Sequence, residues 1–114
     1  MTAPSTLALN CLPGTDLPRP DYDGGGIVNL MATLIRARGG EADYPSLDLL
    51  PPAAIAGHTN LLLLVIDGLG TDWLATRSPG GILHRHCVGP ITSVFPPTTA
   101  SAITTFLTGD APQQ

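Results

Sequence analysis

Two kinds of apolar spacing divide the chain. Over residues 27–38 apolar residues recur every three or four positions, at Ile27, Leu30, Met31, Leu34 and Ile35, and Arg36 and Arg38 precede Gly39-Gly40. That spacing gathers the apolar side chains on one stripe of a helix, the arginines complement the negative end of its dipole, and the glycines stop it. Over residues 61–66 the apolar residues follow without a break, Leu61-Leu62-Leu63-Leu64-Val65-Ile66, between Asn60 and Asp67-Gly68. An unbroken run bounded by polar and glycine residues is how a strand buried on both faces reads, so 61–66 is expected to be the central strand of an α/β fold with a parallel sheet.

The segments around these two are punctuated by proline and glycine. Residues 1–26 hold Pro4, Pro13, Pro18 and Pro20 and close on Gly24-Gly25-Gly26, which predicts an extended N-terminal arm leading into a body over 27–114. Residues 41–60, with Pro45, Pro51 and Pro52 around the apolar stretch 47–50, predict a loop. Residues 71–76 predict a short helix, 78–81 a turn and 91–95 a second short strand that Pro96-Pro97 ends. A further helix is expected over 98–107, with Ile103, Phe106 and Leu107 facing inward. No internal repeat or low-complexity tract interrupts the series.

Composition narrows the function classes. A chain of 114 residues holds one core at most. Nine acids stand against five arginines and no lysine, for a net charge of −4, so no basic patch is available to grip a nucleic-acid backbone. A small phosphorylated substrate stays open, because metal ions can bring the positive charge that the side chains lack. Cys11 and Cys87 form neither a disulfide framework nor a CxxC site and are read as inert thiols. The N-terminus lacks a basic segment before an apolar one, and six apolar residues fall far short of the ~20 of a membrane span, so a cytoplasmic protein without membrane association is expected.

Candidate chemistry begins at Asp67, where the predicted central strand runs out into Asp-Gly-Leu-Gly. Open α/β sheets bind ligands beyond the carboxyl ends of their strands, and a carboxylate flanked by glycines can reach a divalent cation there. Asp-Gly is also a common turn pair, which would make Asp67 a local cap. The second feature is Ser93-Val94-Phe95-Pro96-Pro97-Thr98-Thr99-Ala100-Ser101, a strand, a turn and a helix start rich in hydroxyls. Free amides and the positive dipole end of a helix favour an anion, so a phosphoryl group would meet Thr98 or Thr99. A hydroxyl attacks only once a base or metal lowers its pKa, and Asp67 could hold that metal. Threonine is equally a good N-cap, the plainer role for Thr98.

Other candidates are weaker. His84-Arg85-His86-Cys87 offers soft ligands, and on a strand His84 and His86 would share a face, but flanking glycines make an exposed polar loop the better reading. His58 has no partner nearby in sequence. Gly24-Gly25-Gly26 follows no strand and lacks the Lys-Ser/Thr ending of a phosphate loop.

Together, NLLLLVIDGLGTDWL over 60–74 and ITSVFPPTTASAITTFLTGDAP over 91–112, with Pro20-Asp21-Tyr22-Asp23-Gly24 upstream, resemble the type I phosphodiesterase/nucleotide pyrophosphatase family of the alkaline phosphatase superfamily. The resemblance implies the N-terminal portion of a three-layer αβα sandwich with a mostly parallel sheet. It implies a phosphoric ester hydrolase that works through a covalent phosphothreonine intermediate, with two divalent metal ions, usually zinc. Asp67 matches the family's first metal-binding aspartate. Thr99, nine residues before the threonine of Thr108-Gly109, matches the residue that is both metal ligand and nucleophile. The family's Phe-Pro-Asn-His after the nucleophile is replaced by Ala100-Ser101-Ala102-Ile103, so its nucleotide specificity does not carry over. Its remaining metal ligands follow the Thr-Gly pair, whereas this sequence ends five residues past Gly109, so an incomplete, inactive catalytic domain is expected. Two alternatives stay open: a fragment that only folds or associates, and a relative of the metal-dependent phosphomutases. The absence of Cys-x-Pro-x-Arg disfavours a sulfatase.

Overall fold

The first helix forms where the spacing predicts it. In the computed structural model, which describes residues 11–16 and 18–112, helix α1 spans Ile27–Ala37. Its end is a double turn-back: the amide of Gly40 donates to Ile35 O and that of Gly39 to Arg36 O, with Gly39 at φ 81°, the left-handed region that glycine enters without penalty. The two arginines do more than complement the dipole. Arg36 donates to Ser46 Oγ and Ala42 O, and Arg38 to His58 O and Thr59 O, which ties the proline-rich loop after the helix back onto it.

A short 3-10 turn, Pro52–Ala54, lies in that loop. Three more helices follow: α2 at Thr71–Arg77, α3 at Ile82–Arg85 and α4 at Thr99–Thr108. Helix α1 packs against α4 and against the 3-10 turn, while α2 and α3 contact each other. The core is correspondingly local. Its buried apolar members are Ile27, Val28, Ala32, Leu47, Val94 and Ala111, joined by the polar side chains of Asn29, Thr33 and Thr105.

The expected sheet is not there. Among the described residues the only β-pairings are isolated bridges, Cys11 with Pro18 and Gly26 with Thr92. The α/β sandwich with a mostly parallel central sheet is therefore not the architecture of this chain. Residues 61–66 are irregular, make no backbone hydrogen bond among the described residues, and leave Leu62 92%, Leu64 74% and Ile66 49% exposed. The physical reason is the missing ladder. A strand buried on both faces needs neighbours along both edges, and the second predicted strand, 91–95, pairs elsewhere: Thr92 N donates to Gly25 O and Ile27 N to Thr92 O.

That pairing also changes the picture of the N-terminal segment. Residues 1–10 of the expected arm lie outside the described residues, but 20–26 are bound to the body. Asp21 N donates to Thr92 Oγ1, and Phe95 N donates to the Tyr22 hydroxyl. Helix α4 forms close to its expected bounds, yet its inward face differs. Thr105 is buried and Phe106 half-buried, while Ile103 and Leu107 face solvent.

Candidate functional site

The site is built at the start of α4. Thr98 is its N-cap, in extended conformation, and its Oγ1 accepts from Ser101 N at 3.3 Å and contacts Ser101 Oγ at 3.0 Å. Thr99, the first helical residue, points the other way. Its Oγ1 lies 3.5 Å from Oδ2 of Asp67, a residue 32 positions earlier in the chain. Asp67 occupies the turn after the apolar run, with Gly68 at φ 73°, a backbone angle that L side chains rarely adopt. The two motifs picked out in the sequence thus meet in space, and of the adjacent threonines Thr99 faces the carboxylate while Thr98 is held by its cap.

At 3.5 Å the pair is looser than an ordinary O–H···O hydrogen bond of about 2.7 Å. It is within the ~4 Å span that a single cation with metal–oxygen bonds of about 2.0–2.2 Å could bridge. The amides of Thr99 and Ala100 make no hydrogen bond among the described residues, so the positive end of α4 offers two donors to an anion. Asp67 opposes that anion by its own charge. A cation between a phosphoryl group beside Thr99 and the carboxylate would offset that repulsion.

The described residues do not complete such a cation site. Asp67 and Thr99 give two oxygens, a catalytic zinc draws about three ligands from protein, and no group of three His, Cys, Asp or Glu side chains capable of holding a metal occurs among the described residues. The residues present therefore do not fit the implied two-metal centre. His84 sits in α3 and its Nδ1 accepts from Gly80 N at 3.2 Å, while His86 caps that helix and Cys87 is exposed. The segment is exposed as expected, but its histidines lie on a one-turn helix and its C-cap, neither in the expected loop nor on one face of a strand. His58 is exposed and its carbonyl binds Arg38.

Sequence reasoning missed two polar residues that tie α1 to the segments on either side of it. Asn29 Oδ1 accepts from Gly26 N at 3.0 Å, and its Nδ2 donates to Tyr22 O at 2.8 Å and Pro45 O at 2.9 Å. Thr33 Oγ1 donates to Leu50 O and accepts from Leu47 N, each at 2.9 Å. The available signal was their position: both fall beside the apolar stripe of α1, where an unpaired polar side chain would be costly.

Comparison with family models, with curated proteins and with solved structures finds no match to this chain. No helix among the described residues is long and apolar enough to cross a membrane.

Proposed function

We propose that Asp67 and Thr99 are the nucleophile half of a metal-dependent phosphoric ester hydrolase site, with Thr99 Oγ1 as the attacking atom and a small phosphorylated molecule as substrate. The supporting observation is the 3.5 Å approach of the two side chains across 32 positions of sequence, at the start of a helix with two free amides. Each residue lies in one of the two stretches that resemble the phosphodiesterase family. A threonine hydroxyl needs a neighbouring base or metal to become nucleophilic, and Asp67 is the carboxylate placed beside it. Two oxygens do not hold a catalytic cation, so the described residues alone do not complete a hydrolytic cycle.

A second reading is favoured by one feature. The open apolar run 61–66, leading directly to Asp67, suits a chain whose role is to associate rather than to catalyse.

Two measurements test the first reading. The purified chain, assayed against a phosphodiester dye and a phosphomonoester dye with zinc, manganese or magnesium, is expected to stay at the background rate seen with chelator. Manganese titrated into the isotopically labelled chain is expected to broaden the amide resonances of 67–69 and 98–100, and to lose that effect in Asp67→Asn. Broadening that bypasses both segments would sink the half-site. Metal-dependent turnover abolished by Thr99→Ala but not by Thr98→Ala would keep Thr99 as nucleophile and show that the chain supplies more ligands than Asp67 and Thr99.

A further inference from the structure

Residues 61–66 combine three properties that seldom coexist in a folded monomer. Every side chain is apolar, no backbone N–H or C=O of the six residues is bonded among the described residues, and the segment is free of proline and charge. Exposure also alternates as on a strand, with Leu62 at 92% and Leu64 at 74% against Leu63 at 39% and Val65 at 43%. Natural sheets blunt a free edge with lysine, proline or a bulge, and none of these lies in 61–66.

We propose that residues 61–66 pair as a β-strand with the same segment of a second copy of this chain. Self-pairing is favoured over an unrelated partner by charge. From Thr59 to Ile66 there is no ionisable side chain, so two copies can align without the like-charge opposition that penalises most identical strands. Exposure points the same way. On such a strand Leu62, Leu64 and Ile66, at 92%, 74% and 49% exposure, share one face, which would run on into the same face of the second copy. The pairing would also supply the backbone donors and acceptors that the run lacks within its own chain.

The test is the mass of the full chain in solution across a concentration series, with helicity monitored by circular dichroism. The expected result is a rise from 11.8 kDa to twice that value with increasing concentration. Leu64→Pro keeps the site apolar but removes an amide that bonds nothing in the monomer. It is expected to raise the half-association concentration about tenfold or more, the factor that 1.4 kcal/mol produces, with helicity unchanged. The double change Leu62→Lys with Leu64→Lys is expected to abolish association. A wild-type chain that stays at 11.8 kDa throughout overturns the proposal, and leaves the run to a different polypeptide. Association that Leu64→Pro does not weaken also overturns it, because the contact is then hydrophobic without strand pairing.

Discussion

The chain holds two regions of opposite logic. Around α1, residues 20–47 and 91–112 bury polar side chains completely: Asn29, Thr33 and Thr105 are each 0% exposed. In residues 60–90, which include the most apolar run of the sequence, no residue is buried. Apolarity alone therefore does not decide burial in this protein. What separates the regions is whether backbone groups find partners far away in the chain: among the described residues the backbone bonds of 60–90 all stay within α2, α3 and their turns. Asn29 and Thr33 between them satisfy five backbone donors and acceptors, and the bridge at Thr92 adds two more bonds. The run 61–66 satisfies none, and a desolvated unpaired peptide group costs what a buried leucine gains.

The largest effect is expected at Asn29. Asn29→Ala strands the amide of Gly26 and the carbonyls of Tyr22 and Pro45, and leaves a void at a fully buried position. With each unsatisfied buried group costing roughly 1–3 kcal/mol, a loss of about 3 kcal/mol or more is expected, read as a lower midpoint in denaturant unfolding followed by helicity. A change under about 1 kcal/mol would mean that water replaces the amide, and that the α1 region is no tighter than 60–90.

Next in size is Thr33→Val, which keeps the shape of the side chain but removes its hydroxyl from Leu50 O and Leu47 N. A loss of about 2 kcal/mol is expected in the same measurement. Thr105 gives the reverse case within the same core. Its Oγ1 is buried with no partner among the described residues, so Thr105→Val removes an unpaired hydroxyl at nearly constant volume. A gain of about 1 kcal/mol is expected, and a loss would mean that the hydroxyl is bonded in solution. The two substitutions make the same chemical change at two buried threonines, and only bonding predicts their opposite signs.

Three of the four helices were legible in the sequence because their signals are local; the one-turn helix Ile82–Arg85 was read as part of a loop. Spacing, arginines and Gly39-Gly40 suffice to define α1, and the hydroxyls after Pro96-Pro97 together with Gly109 define α4. Asp67 and the pair Thr98-Thr99 were picked out by residue type at the ends of predicted elements, the family resemblance chose Thr99 of the two, and Thr99 Oγ1 lies 3.5 Å from Asp67 Oδ2. The sheet was misread because a strand is a relation between segments. The run 61–66 carries the composition of a central strand, but composition does not provide the edges it must bond to. Ile103 and Leu107 were misplaced for the same reason: helical spacing identifies a stripe, and the surface that α1 presents decides which stripe of α4 is covered. The buried roles of Asn29 and Thr33 depend on carbonyls and amides in distant loops, which no local pattern announces.

The smallest expected effect separates the two regions most sharply. Leu62→Ser replaces the central kind of residue in the most apolar stretch of the chain. In an ordinary core, cutting back a leucine removes about 2–5 kcal/mol, part of it transfer free energy and part the cavity left behind. Leu62 is 92% exposed and neither contributes to the core nor would leave a cavity. The change in stability is therefore expected to stay within about 0.5 kcal/mol, as for surface positions generally, when unfolding is followed in solution dilute enough to keep the chain monomeric. At higher concentration the same variant should diverge from wild type, because the strand that Leu62 would help to form then has a partner. A loss above 2 kcal/mol in the dilute measurement would place Leu62 in a core after all, and the contrast between the two regions would fail.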